Sequence, residues 1–153
     1  MVAIVESKNP GNKRPRRATL SMMAALAVIL WNVPAHSAEL CKEGKKQLRG
    51  DYEILQGSGG LWGYMEKSGL KDKSVLGLQV DNKLQRAVVA FETSCEPDSQ
   101  KKPDEAMFNK IKEGIGRARN IHNKTPGRTP VDEILTGLET LSKDLDGLLQ
   151  SLL

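Results

Sequence analysis

The stretch TPVDEILTGLETLSKDLDGLLQSLL, residues 129–153, decides the fold. It opens with the signals of a helix start, because Thr129 suits the cap, Pro130 the first helical position and Asp132 the first turn. About 22 residues give a helix of roughly 33 Å. Apolar residues recur at every third or fourth position, which is the spacing of one helical face; they are Val131, Ile134, Leu138, Leu141, Leu145, Leu148 and Leu152.

This helix allows two interpretations. Its first and fourth heptad positions are all apolar, which is typical of a coiled-coil partner or a dimer interface. Leu135 and Leu149 widen the apolar stripe beyond a narrow seam, which favours packing inside a globular bundle. Under the first interpretation, the interaction surface would include Leu138, Leu145 and Leu149.

Three more helical segments precede it, and clusters of glycine, proline and small polar residues separate them. They cover about residues 39–56, 73–95 and 103–122, and residues 61–70 form a short helical turn. Asp72 or Ser74 is the expected cap of the segment 73–95. Each long segment carries an apolar stripe of helical period, and no segment alternates as a strand does.

Cys41 and Cys95 are the two cysteines. An isolated pair in an exported protein is most simply a structural disulfide, since redox-active pairs are usually spaced Cys-x-x-Cys. Cys41 lies near the start of the first segment and Cys95 at the end of the second. An antiparallel hairpin of these two helices would therefore bring the cysteines together.

Charge also sorts by segment. Residues 101–128 contain eight cations and three anions, whereas residues 129–153 contain one cation and five anions. Opposite charges favour an antiparallel pair of helices, although each surface ion pair contributes only about 0–1 kcal/mol. Residues 39–153 are thus predicted to form an all-α, small antiparallel bundle of three to four helices stapled by one disulfide.

Residues 1–38 have the order of a cleaved secretory signal peptide. A polar, cationic start precedes an apolar run over residues 20–33, and small residues follow, with cleavage expected after Ser37 or Ala38. The apolar run is shorter than the roughly 20 residues that a membrane span needs. Arg16-Arg17 resembles a twin-arginine export signal, and an ordinary cationic leader is the alternative. The mature protein is expected to be periplasmic or secreted, from a bacterium.

The net charge of +4 belongs to the leader. The chain has 23 Lys and Arg and 19 Asp and Glu; residues 1–38 contain five cations and one anion, which leaves 18 of each sign. A neutral mature chain lacks the basic excess of a nucleic-acid binder. Contact with a membrane surface through the basic flanks of residues 103–122 is possible but not favoured; those flanks are Lys110, Arg117, Lys112 and Arg119.

The sequence shows no catalytic constellation, so no enzyme activity is expected. His122 is the one histidine after residue 38, too few for a usual zinc site. A haem held by His122 and Met65 or Met107 is a weaker possibility, because no Cys-x-x-Cys-His is present. No cofactor is assigned.

Trp62 and Tyr64 lie beside the flexible glycines 57–60. They either anchor a binding surface or plug one end of the bundle. The expected function is a non-catalytic interaction or accessory protein of the bacterial envelope, which binds an unknown protein partner or a second copy of itself. The alternative is a carrier of a ligand or cofactor in the bundle core.

Overall fold

The computed structural model describes residues 20–125 and 127–152, with side chains from His36 onward. Contacts divide the chain into two units, Met1–Pro34 and Ala35–Leu153. The described residues form four long helices and one short helix, which confirms the predicted all-α bundle. The helices are α1 (Leu20–Gly57), α2 (Gly60–Lys67), α3 (Ser74–Ser94), α4 (Glu105–His122) and α5 (Val131–Leu152), and a 3-10 turn (Lys71–Lys73) leads into α3.

Helices α1 and α3 are antiparallel. The Cys41–Cys95 disulfide joins them, with Cα atoms 5.7 Å apart. About two turns further along α1, Arg49 donates two hydrogen bonds to Glu92, of 2.7 and 2.6 Å. The order of these contacts runs forward along α1 and backward along α3. The predicted hairpin and the predicted disulfide are therefore confirmed.

Helices α4 and α5 are also antiparallel, as their opposite charges predict. Arg117 Nη1 lies 2.6 Å from Asp144 Oδ2, and Lys124 pairs with Glu133 near the turn between the helices. These groups are at least partly exposed, so each pair stabilises the fold by only about 0–1 kcal/mol. Their positions set the register of the two helices more than they contribute to stability.

One hydrophobic core joins α2 and the long helices, and the apolar stripe of α5 lies in it. Leu138, Leu141 and Leu145 are at most 2% exposed. Val131 is an exception to the predicted stripe, because its side chain is 46% exposed. It is the first residue of α5, and the core begins one turn later, at Ile134.

Helix starts differ from the predictions in detail. The predicted cap of α3 by Asp72 or Ser74 is wrong, because Lys73 is the N-cap and makes no side-chain capping bond. The chain enters α3 through a 3-10 turn, whereas a capping side chain needs an extended residue. The Ser74 hydroxyl instead donates to the Lys71 carbonyl at 2.8 Å.

Helix α5 begins at Val131, one residue after the predicted Pro130, and two other starts move further, in opposite directions. Helix α4 begins two residues later than predicted, because Asp104 is its N-cap and accepts a 2.7 Å hydrogen bond from the Met107 amide. In the uncut chain α1 begins at Leu20 rather than Glu39, and the proposed cleavage positions lie inside it.

Gly77 lets α2 approach α3 closely. A Cβ atom there would lie 2.8 Å from the backbone carbonyl of Leu61, and backbone cannot move aside as a side chain can. We expect Gly77→Ala to lower the free energy of unfolding by about 2 kcal/mol, although alanine favours helix by about 1 kcal/mol. Urea unfolding measures it.

Gly147 provides the matched control, because it lies within α5 and nothing lies within 4 Å of an added Cβ. Gly147→Ala should raise the stability by about 0.5–1 kcal/mol through helix propensity alone. If both alanine variants change stability in the same direction, the close approach of α2 and α3 is not as described.

Candidate functional site

The two aromatic residues singled out in the sequence have different places. Tyr64 is 6% exposed; its hydroxyl donates to the Lys124 carbonyl at 3.0 Å, and its ring centroid lies 5.6 Å from that of His122. It closes one end of the bundle. Trp62 is 44% exposed, so of this pair only the indole is available to a partner.

The leucines of α5 are not available to a partner in this fold. Leu138, Leu145 and Leu149 are 0%, 2% and 8% exposed, so an interaction surface that includes them is corrected to a core position. The physical reason is the width of the apolar stripe. Because Leu149 widens the stripe, neighbouring helices of the same chain pack over it. These three leucines therefore belong to the hydrophobic core.

The outward side of α3 is the surface with unusual chemistry. Eight residues of α3 are exposed and only Arg86 among them is charged. We call this surface the α3 outer face; its residues are Val75, Leu78, Gln79, Asn82, Gln85, Arg86, Val89 and Thr93. Three of the eight are large aliphatic residues, 61% (Val75), 43% (Leu78) and 49% (Val89) exposed.

The exposed faces of α4 and α5 are different. They carry charged residues in each turn, such as Lys110, Lys112 and Glu113 on α4 and Glu139 and Lys143 on α5. A solvated helix face is normally polar and charged. Exposed aliphatic residues are common singly; three of them on one helix face with a single charge make this face a candidate interaction surface.

The backbone of Trp62 lies against α3. Its backbone amide donates to Asp81 Oδ2 at 3.0 Å, and the same nitrogen would lie 3.0 Å from a Cβ at Gly77. Trp62 is thus held beside the turn of α3 that carries Leu78. Tryptophan is one of the residue types enriched in binding hot spots.

Asp81 fixes the start of α2. Its carboxylate is 5% exposed and accepts hydrogen bonds from the amides of Leu61, at 3.1 Å, and Trp62. These amides would otherwise be unsatisfied donors in the first turn of α2. Each carboxylate oxygen accepts one of these hydrogen bonds, so Asp81 positions the backbone of Trp62.

Burial raises the pKa of the Asp81 carboxyl above its ordinary value, and the two amide hydrogen bonds oppose the shift only in part. The pKa of the Tyr52 hydroxyl is raised too, by burial first and by the negative charge of Asp81 second. Asp81 and Tyr52 are therefore two titratable side chains whose pKa values are both raised by burial.

Other candidate sites find less support. Among the residues that the structure describes, no three His, Cys, Asp or Glu side chains are placed to hold a metal ion. No helix in the described part of the chain has the length and apolar character needed to cross a membrane.

The basic flanks of α4 mostly contact the bundle itself. Arg117 pairs with Asp144, Arg119 lies 3.6 Å from Asp51, and the Lys112 ammonium lies 5.7 Å from the centroid of the Phe108 ring. These contacts favour the interpretation in which basic side chains border the core.

The α3 outer face is missing from the sequence predictions, although a signal for it exists. Val75, Leu78 and Val89 are apolar but out of phase with the core stripe of the same helix, which includes Val80 and Leu84. One helix with two apolar stripes has two surfaces to cover. Asp81 has a weaker signal, as a lone carboxylate beside the core stripe.

Comparison with known proteins gives no further guide. No family model matches the chain, and neither a curated protein nor a solved structure is significantly similar to it.

Proposed function

We propose that this chain is exported, cut after Ser37 or Ala38, and acts without catalysis as a protein-interaction module of the bacterial envelope. The α3 outer face carries the proposal, because its aliphatic residues and the neighbouring Trp62 are exposed. That surface binds a protein, and the bundle beneath it holds the surface rigid. Interfaces of this kind are poor in charge and rich in aromatic anchors.

The leader and the disulfide support export. A cationic start, an apolar run and small residues are the parts of a signal peptide, and disulfides persist in oxidising compartments such as the periplasm. After cleavage the new amino terminus lies two or three residues before Cys41. Glu39 is then in the first turn of α1, where a negative charge is favourable.

We favour an interaction module over a carrier because the middle of the bundle is occupied by its own side chains. Phe91, Ile111 and Leu138 are each 0% exposed. The groove between α4 and α5 has leucines, among them Leu148, together with charged residues such as Lys110 and Asp144, and it is open to solvent. A carried apolar ligand would instead be expected in an enclosed site that buries most of its surface.

Photo-crosslinking in living cells tests the proposal. The full chain with its leader is expressed in a bacterium with benzoylphenylalanine in place of Leu78 or, as control, of Ile54, which is 60% exposed on α1. We expect a protein adduct from position 78 and none from position 54. Intact mass should show loss of residues 1–37 or 1–38 and of two hydrogens.

Each result has a defined meaning. Equal adducts from both positions, or none from position 78, contradict the interaction surface. A mass that retains residues 1–38, or cysteines that react with a thiol reagent without reduction, contradicts the exported, disulfide-bonded form.

A further inference from the structure

The α3 outer face contains a coiled-coil seam. Val75, Leu78, Asn82, Gln85 and Val89 follow one another at alternating steps of three and four residues, all five are exposed, and all are uncharged. Such a seam is completed by another helix that packs its own seam against it. Two apolar positions, Leu78 and Val89, lie on either side of a polar centre formed by Asn82 and Gln85.

We propose that the partner is a second copy of this chain, which packs its α3 antiparallel to the first about a two-fold axis. This inference rests on the proposed function and names its partner. In the matching register, Leu78 lies opposite Val89 of the second copy and Asn82 lies opposite Gln85. Val75 lies opposite Glu92, whose carboxylate is bound by Arg49 of its own chain. A two-fold axis makes each contact occur twice, so two apolar layers enclose two amide pairs.

The amide pairs suit each other chemically. Asn and Gln side chains each carry a donor and an acceptor, so Asn82 of one copy and Gln85 of the other can hydrogen-bond across the seam. A polar residue within a seam fixes register and orientation at some cost in stability. The polar centre formed by Asn82 and Gln85 therefore favours one alignment of the two helices over the others.

Charge selects the antiparallel orientation. The same register places Lys71, before α3, opposite Glu96, after α3, and both are exposed. Glu96 also lies 3.3 Å from Lys45 of its own chain, but its side chain stays 62% exposed. A parallel pair would put Lys71 against Lys71 and Glu96 against Glu96, which is repulsive. The antiparallel pair instead has an attractive contact at each end.

The dimer is weak, because the seam is short. A helix of 21 residues is about 31 Å long, and one such pair buries less than the roughly 800 Å² per partner of a standard interface. Dimers should therefore form in the range of about 10 µM to 1 mM.

Sedimentation equilibrium of the protein recovered from the periplasm measures this association. We expect the mass of the wild type to rise from one chain to two across that range. Leu78→Glu should weaken association at least about tenfold, whereas Ile54→Glu should associate as the wild type does. Unchanged far-UV circular dichroism and thermal midpoint for both variants would show that the monomer fold is intact.

Two further measurements test the register. Lys71→Glu should weaken the dimer a few-fold, and the double variant Lys71→Glu/Glu96→Lys should restore it. The crosslink from position 78 should give twice the chain mass and attach to tryptic peptide 87–101, which contains Val89. Attachment to peptide 74–83 would mean parallel pairing and overturn the inference.

Failure of this inference is distinguishable from failure of the proposed function. One outcome is a wild type that stays monomeric at the highest concentration while position 78 gives an adduct of another mass. That result contradicts pairing with a second copy but still supports the α3 outer face as an interaction surface. A dimer that Leu78→Glu does not weaken overturns the α3 pairing. If neither an adduct nor a dimer is found, both the interaction surface and the α3 pairing are contradicted.

Discussion

Removing the Cys41–Cys95 disulfide is expected to lower the free energy of unfolding by about 4 kcal/mol. The bridge spans 54 residues of sequence, so the unfolded chain gains considerable freedom when it is cut. Small domains are stable by only about 5–15 kcal/mol in total. The loss is therefore a large fraction of the stability.

The location of the bridge adds to this effect. It ties the start of the mature α1 to the end of α3, where the Lys45–Glu96 ion pair is exposed and weak. The next firm contacts of α1 come at Gly44, against the Phe91 ring, and at Leu48, which is 0% exposed. Without the bridge the first turn of α1 should fray.

Urea unfolding of the double variant Cys41→Ser/Cys95→Ser against the wild type measures the loss. Wild-type protein treated with a reductant serves as control and should match the double variant. A loss below about 1 kcal/mol would mean that α1 and α3 stay associated in the unfolded state, so that the bridge constrains little.

The long helices were predictable because one physical signal dominates each of them. Ile134, Leu138 and Leu145 repeat at helical spacing, and burial of that stripe drives the helix against its neighbours. The antiparallel α1–α3 hairpin was predictable as well, since Cys41 and Cys95 can pair in no other simple arrangement. Local periodicity and one covalent constraint were enough for the architecture.

The details that escaped prediction depend on groups distant in sequence. Asp81 caps α2 from another helix, 20 residues away from the Leu61 amide that it binds. No local pattern shows such a contact, because capping signals are read from the four residues around a helix start. Likewise, whether Leu78 or Leu138 faces solvent depends on which other helices cover each stripe.

Asp81→Ala is expected to lower the free energy of unfolding by about 3 kcal/mol, because the buried Leu61 amide and the partly buried Trp62 amide lose their acceptor, at about 1–3 kcal/mol for a buried group. Leu61, one of the two residues, is 0% exposed, so water does not readily replace the carboxylate. Urea unfolding gives the total loss. Trp62 is the sole tryptophan of residues 39–153, so its fluorescence reports whether α2 detaches first.

The pH dependence of the Asp81 contribution has a definite sign. Burial raises the pKa of Asp81 above its ordinary value of 3.8. At pH values between the ordinary pKa and the raised pKa, the folded state therefore binds more protons than the unfolded state. Stability then falls as the pH rises through that window. Asp81→Asn removes this fall, and its cost in stability should be largest below about pH 4 and smaller near neutrality.

Glu92, on the same helix, supplies the opposite control. Its hydrogen bonds with Arg49 lower the pKa of Glu92 below the ordinary value of 4.5, so its contribution is present above that pH and is lost on acidification. The cost of Glu92→Gln should therefore shrink as the pH falls, whereas the cost of Asp81→Asn should grow. If both costs shrink together, the two amide hydrogen bonds of Asp81 outweigh its burial and the carboxylate is held in its charged form.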